Sequence, residues 1–281
     1  MNKNNIIPLF DIQKKSKPFI KWPGGKTQLL SIINELKPQK YNNYIEPFVG
    51  GGSVLFKLQP KSAIINDLNS ELINNYIQIK ENPENLMNLI DELDTNIKEQ
   101  GEFFYYKTRS LFNQKIAQKE HDLEMSAYFI FLNKHCFNGL YRVNKDGVFN
   151  ASWNKCFTKS YDEDNILSVS KYLQNIEIYN NDFEYPLTFA KEKDFVFIDS
   201  PYDESFTSYT KKQFNKEDHI RLSKLFKNLS NKGCYLMLTN HNTDLINDLY
   251  KDFNKKVINV RRAINTDRNG RKGQEIIVTN Y

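Results

Sequence analysis

Four consecutive residues of this chain could do chemistry together: Asp199-Ser200-Pro201-Tyr202, directly after the apolar run Phe195-Val196-Phe197-Ile198. A carboxylate just past the C-terminal end of a buried strand sits where open α/β sheets bind their ligands. Pro201 restricts Ser200 to an extended backbone, which fixes the direction of the Ser200 carbonyl. Tyr202 adds a ring face beside it. One side-chain acceptor, one backbone acceptor and one stacking surface match an exocyclic amine on a planar heterocycle, which has two N–H groups to satisfy and a π-face to cover. The same four residues also suit a plain strand-end turn with a surface tyrosine, so the tetrapeptide alone leaves both readings open.

Two further stretches add ligand chemistry. In Phe48-Val49-Gly50-Gly51-Gly52-Ser53 a β-rich run leads into glycines that let a ligand approach the backbone, with a short helix expected to follow. Asp67 lies seventeen residues beyond Gly50. At that spacing an acid can accept hydrogen bonds from ribose hydroxyls, although a helix N-cap is an equal use for it. The glycine spacing is shorter than a dinucleotide-binding fingerprint and lacks its third glycine. Trp22-Pro23-Gly24-Gly25-Lys26 is a turn that brings an aromatic and a cation together; no glycine precedes Gly25 by five residues, which disfavours a P-loop.

The elements that must position these residues alternate. Strands are expected over 44–49, 63–66, 177–179, 195–198, 234–238, 256–260 and 275–278, with helices over 27–36, 70–80, 217–229 and 244–253. This predicts an α/β fold with a mainly parallel sheet flanked by helices. From about residue 83 to 173 the rhythm breaks into helices over 84–98, 103–117 and 124–135, then a turn-rich stretch. Within it Asp146-Gly147 signals a hairpin. The expected organisation is a catalytic domain of 17–82 and 174–281, an inserted subdomain of 83–173 and an N-terminal extension of 1–16.

Composition narrows the class. In 281 residues, 40% apolar and 14% aromatic content argue against disorder, and the net charge of +5 suits a protein that touches nucleic acid on one face. Cys136, Cys156 and Cys234 are scattered, which argues against a disulfide framework or a zinc site. No apolar run is long enough to span a bilayer and no signal core precedes a cleavage site, so a soluble, cytoplasmic protein without a membrane partner is expected.

In their order along the chain these motifs resemble the Dam-like DNA adenine-N6 methyltransferases of the D12 class, alpha group. The resemblance rests on Trp22-Pro23-Gly24-Gly25-Lys26, Glu46-Pro47-Phe48-Val49-Gly50-Gly51-Gly52-Ser53, Asn66-Asp67-Leu68-Asn69-Ser70-Glu71-Leu72, Phe137-Asn138-Gly139-Leu140-Tyr141-Arg142, Asp199-Ser200-Pro201-Tyr202 and Phe206-Thr207-Ser208-Tyr209. It implies an S-adenosylmethionine-dependent methyltransferase fold with an inserted helical target-recognition region. The implied donor is S-adenosylmethionine, leaving S-adenosylhomocysteine, with no metal. Trp22, Lys26, Phe48, Gly50, Gly52, Asp67, Asp182, Phe183 and Asp199 would bind that donor, Asp67 at its ribose and Asp182 with Phe183 at its adenine. Asp199, Ser200, Pro201 and Tyr202 would be catalytic. Lys21, Phe137, Asn138, Leu140, Arg142 and Tyr209 would meet double-stranded DNA, and the basic residues around the last strand turn suit phosphates. The resemblance further implies GATC as target, a bacterial or phage source and, in a restriction system, a cognate endonuclease. One departure stands out: the family has proline where this chain has Ser200. A catalytically impaired DNA-binding relative, or an enzyme acting on N4 of cytosine or on RNA adenine, is the alternative.

Overall fold

The structure, a computed structural model, describes residues 15–203, 214–261 and 272–281. Tyr209, most of the N-terminal extension and the basic turn 262–271 lie outside the described residues. The strands are β1 (Tyr44–Glu46), β2 (Ala63–Asn66), β3 (Ile176–Tyr179), β4 (Phe195–Ile198), β5 (Tyr235–His241), β6 (Asn254–Arg261) and β7 (Lys272–Thr279). The helices are α1 (Leu30–Leu36), α2 (Ser53–Leu58), α3 (Ser70–Glu81), α4 (Pro83–Gln100), α5 (Glu102–Gln118), α6 (Leu123–His135), α7 (Glu163–Leu173), α8 (Glu184–Leu187), α9 (Lys216–Asn231) and α10 (Asp244–Leu249).

These strands form one seven-stranded sheet in the order β3-β2-β1-β4-β5-β7-β6. Strands β1 to β5 pair in parallel, and β7 runs antiparallel between β5 and β6. The central strands β1 and β4 are buried along their whole length, which is why β4 reads as an unbroken apolar run and neither strand alternates. Alternate residues still serve different faces. Tyr44, Phe195, Phe197, Met237 and Ile277 enter one apolar cluster, and Ile45, Val196, Ile198, Leu236, Leu238, Ile276 and Val278 enter the other. The second cluster is closed by Leu222 and Phe226 of α9 and Ile246 of α10.

The first cluster continues without a break into the helices of the expected insertion. Leu86, Ile90 and Ile97 of α4, Phe112 of α5 and Phe129 and Phe131 of α6 share it with sheet residues. The helices over 83–135 therefore dock on the sheet layer through α3, which packs against both α6 and α7. No helix is expected over 163–173 from the sequence alone. α7 forms there because Asp162 caps it by accepting from the Asn165 N–H and because Ile166, Val169 and Leu173 fall on one buried stripe. The hairpin expected at Asp146-Gly147 is present: Val143 bridges Phe149, the Asn144 N–H donates to the Val148 carbonyl, and Gly147 takes a φ of +78°.

Candidate active site

The sheet order reverses between β1 and β4. From β1 the chain moves outward to β2 and β3, then returns to the other side of β1 as β4. At such a switch point the two following loops part and leave a crevice at the carboxyl ends of the strands. The loop after β1 carries Pro47 to Gly52, and the loop after β4 carries Asp199 to Tyr202, so two motifs about 150 residues apart in sequence become the two walls of one crevice.

Lys26 closes the crevice from the N-terminal turn. Its side chain is buried, its ammonium meets Asp199 Oδ1 at 2.7 Å and it donates to the Gly24 carbonyl at 2.8 Å. The same ammonium lies 4.6 Å from the centre of the Tyr202 ring. Thr239 Oγ1 donates to Asp199 Oδ1 as well, at 2.9 Å. Both described partners of Asp199 thus hold Oδ1, and Oδ2 takes no hydrogen bond from the described residues. Burial pushes the Asp199 carboxyl above its ordinary range, and Lys26 and Thr239 act against that rise.

On the β1 side, Asp67 is half-buried and accepts from the Gly50 N–H at 3.0 Å through Oδ2 and from the Asn69 N–H at 2.9 Å through Oδ1. The helix N-cap that Asp67 could have been is Asn69, which accepts from the Leu72 N–H. Asp67 is therefore free for another use, and burial raises its pKa against those backbone donors. The glycines need their freedom for a reason beyond ligand approach. A Cβ on Gly50 would stand 2.9 Å from the Trp22 ring, one on Gly51 2.7 Å from Trp22 Cβ, and one on Gly52 2.7 Å from both Phe56 and the Tyr76 hydroxyl. Gly50 and Gly52 also have positive φ. Trp22 in turn stacks on Tyr141, which stacks on Phe129, at ring separations of 5.3 and 5.0 Å.

Phe48 and Phe183 stack on each other at 5.3 Å. The Phe183 ring also faces the Arg221 guanidinium at 4.2 Å, and Arg221 pairs with Asp182 Oδ2 at 2.8 Å. Asp182 Oδ1 accepts from the Glu184 N–H. The structure thus joins Phe48, Asp182 and Phe183 in one corner, with half-buried Phe48 more open than buried Phe183.

The residues expected to meet DNA gather beside the turn that carries Lys26. Buried Asn133 at the end of α6 accepts from the Lys21 N–H at 3.0 Å and donates to the Lys21 carbonyl at 2.9 Å and the Gly139 carbonyl at 3.3 Å. Lys21, Phe137, Asn138 and Arg142 are exposed and Leu140 is half-buried. Asn138 sits at φ +61°, and Arg142 donates through Nε to Asn150 Oδ1.

Several residues that build the site carry no expectation from sequence. Glu46, at the end of β1, is buried and accepts from the Tyr44 hydroxyl at 2.8 Å; burial pushes its carboxyl well above the usual carboxylate range, and Asp199 pushes the same way. Asn66 donates to the Pro47 and Asn181 carbonyls and accepts from the Asn181 N–H, tying three strand-end loops together. Tyr76 donates to the Gly50 carbonyl at 2.9 Å. The signal available for Glu46 and Asn66 is a polar residue ending an apolar strand; Tyr76 has none.

A mainly parallel α/β sheet that gathers acids and a conformationally restricted Asp-Ser-Pro-Tyr loop at its switch point has the architecture of the open α/β enzymes that bind ligands at that place. The profile of the D12 class N6 adenine-specific DNA methyltransferases matches residues 22–264. The type II methyltransferase M1.LlaDCHI of Lactococcus lactis subsp. cremoris is 43% identical over 94% of this chain and 95% of its own length. The type II methyltransferase M.MjaIII of Methanocaldococcus jannaschii is 42% identical over 94% and 99%. A DNA adenine methylase of Haemophilus influenzae is 30% identical over 94% and 93%. The chain belongs to the D12 class of N6 adenine-specific DNA methyltransferases, and it is an enzyme of that class with the methyltransferase fold expected for it. Among the described residues no helix is long and apolar enough to cross a membrane.

Proposed function

We propose that this enzyme methylates adenine N6 in duplex DNA at GATC, taking the methyl group from S-adenosylmethionine in the crevice between β1 and β4. The residues present suit that donor. Its methionine end carries an ammonium, a carboxylate and a sulfonium, and the buried Glu46 carboxyl lies within electrostatic reach of Asp199, Lys26 and Asp67. Each Asp67 oxygen keeps a second lone pair for a ribose hydroxyl. Lys26 keeps one N–H beyond its two described partners. Phe48 offers the more open ring of its corner. S-adenosylmethionine supplies an activated methyl group and a neutral thioether leaving group.

The observation that carries the reading is the one-sided binding of Asp199. Lys26 and Thr239 hold Oδ1, which leaves Oδ2 as a spare acceptor among the described residues. No described group donates to the Ser200 carbonyl. A target adenine taken out of the stack can give one amine hydrogen to Oδ2 and the other to that carbonyl, with Tyr202 covering its ring. These two bonds draw the nitrogen lone pair out of conjugation and hold it in line. Leu140 fills the gap in the duplex and Arg142 reads a guanine edge, with Lys21 and Phe137 beside them. A cognate restriction endonuclease reading the same site is the partner such an activity protects against, without direct contact.

The test is transfer of labelled methyl to matched duplexes carrying GATC or the permuted GTAC. Label at adenine N6 of GATC alone is expected. Equal labelling of both duplexes would reject the site assignment, and label on cytosine would reject the base. Asp199→Ala should lower kcat by about a thousandfold, since one preorganised polar contact to the reacting group is worth up to that factor.

A further inference from the structure

The described residues of the loop that follows β4, Asp199 to Asp203, are held from one short stretch, Thr239-Asn240-His241, where the neighbouring strand β5 ends. Thr239 holds Asp199. The His241 ring centre lies 4.1 Å from that of Tyr202, and its Nδ1 meets the Asp203 carbonyl at 3.2 Å. Thr243, two residues on, donates to Asp203 Oδ2 at 2.7 Å. Asn240 takes the middle of the loop. Its Nδ2 donates to Ser200 Oγ at 3.1 Å and to the Pro201 carbonyl at 3.3 Å, while its Oδ1 accepts from the Asp203 N–H at 3.1 Å and the His241 N–H at 2.8 Å. Two amide hydrogens and two lone pairs are all used, and the partners permit only one orientation: a carbonyl must face the NH2 group and backbone N–H groups must face the oxygen. Asn240 is fully buried, and Ser200 is 2% exposed. A fully satisfied buried amide is a rigid joint, because each lost bond would leave an unpaired group in a dry setting.

We propose that Asn240 is the positioning residue of the reaction, and that the Asn240–Ser200 hydrogen bond takes the place of the ring constraint that proline supplies at position 200 in the family pattern. The bond fixes the Ser200–Pro201 peptide from the side, so the Ser200 carbonyl keeps the direction in which it accepts an amine hydrogen. Proline would restrain the same backbone by closing φ, and would have no hydroxyl for Asn240 to meet. Asn240 touches neither donor nor target base; it acts through Ser200, Pro201 and Asp203. This inference rests on the assignment of the 199–202 loop as the amine-binding edge.

The experiment compares Asn240→Ala made in the wild-type chain and in the S200P chain, measuring kcat and KM for GATC duplex, the affinity for S-adenosylmethionine by direct titration, and the melting temperature. In the wild-type chain kcat should fall about tenfold to a hundredfold, the range that a misplacement of about 1 Å costs, with donor affinity changed less than about threefold. In the S200P chain the same substitution should slow kcat by a factor at least about threefold smaller, because the ring carries part of the restraint. A merely structural asparagine would lower the melting temperature equally in both chains and show no such coupling in kcat; equal slowing factors, or kcat within about twofold of wild type, overturn the proposal. Should Asn240→Ala fail to fold, Ser200→Ala leaves Asn240 in place and removes the bond. It should lower kcat severalfold at unchanged donor affinity, and wild-type kcat for it overturns the proposal. Asp199→Ala is the control that separates the two layers: an inactive Asp199→Ala beside a fully active Asn240→Ala removes the positioning role alone, whereas an Asp199→Ala with wild-type turnover removes the site assignment and this role with it.

Discussion

The crevice at the ends of β1 and β4 and the loop over 136–155 are built by opposite means. The crevice residues follow directly on parallel strands and are held by side chains from the neighbouring strand ends and the N-terminal turn: Lys26 and Thr239 on Asp199, Asn240 on Ser200, Asp67 on Gly50. The 136–155 loop has only isolated bridges of its own, and its backbone is hung from helix side chains. Asn113 both donates to and accepts from Phe149, Tyr105 and Arg109 donate to the Ala151 carbonyl, and Asn133 holds Gly139. Phe137 on this loop is 63% exposed, whereas Ser200 is 2% exposed. A strand-built edge has one register and tolerates little change. A loop suspended from helix side chains can alter its exposed residues while its anchor points stay; under the proposed assignment, target reading can vary on a constant catalytic edge.

Lys26 joins the two regions: it pairs with Asp199, while Trp22 of its own turn stacks on Tyr141 of the loop. Lys26→Met should lower kcat at neutral pH by about a hundredfold, because it strands a buried carboxylate. Burial holds the Asp199 pKa above the ordinary carboxylate range and Lys26 counters the rise, so removing Lys26 raises it further. The acceptor must be ionised, so the acid limb of the pH–kcat profile moves to higher pH and activity recovers as pH rises. Stability runs the other way. A raised carboxyl pKa favours the folded state below that pKa, and the contribution is lost as pH climbs through it. A profile with an unmoved acid limb would separate Asp199 from the rate.

A matched pair of glycines sharpens the contrast. Gly52 and Gly139 both have positive φ, +72° and +64°, and a Cβ on either meets a close atom, at 2.7 and 2.5 Å. At Gly52 the obstacles are the Phe56 ring and the Tyr76 hydroxyl inside the core; at Gly139 the nearest is Lys21 Cδ, part of a flexible chain. Gly52→Ala should cost about 2–3 kcal/mol and Gly139→Ala about 1 kcal/mol, read as denaturant midpoints. Equal losses would mean that the loop is as rigid as the strand edge.

The smallest effect on stability belongs to Arg142. It is exposed, and among the described residues its side chain is bound only to Asn150. Arg142→Ala should leave stability within about 0.5 kcal/mol while raising KM for GATC duplex by about tenfold, more than kcat falls. Discrimination against permuted sites should weaken with it, measured by competing the two duplexes.

Residue types alone marked out two strands of the switch-point half of the sheet. The runs 63–66 and 195–198 coincide with β2 and β4: β4 is buried on both faces and apolar throughout, and β2 is an apolar run that ends on buried Asn66. The sequence also carried the order of the family motifs, which depends on residue identity alone. The structure alone decided how those motifs meet. That Lys26 pairs with Asp199 and that the triglycine makes room for Trp22 and Tyr76 depend on contacts between distant segments. Asn240 shows the limit most plainly. An asparagine ending an apolar strand looks like an ordinary strand end, and only pairing β5 beside β4 brings its amide to Ser200, forty residues away. Side-chain periodicity is local and leaves a sequence trace; hydrogen-bond partners are chosen by topology, which leaves none.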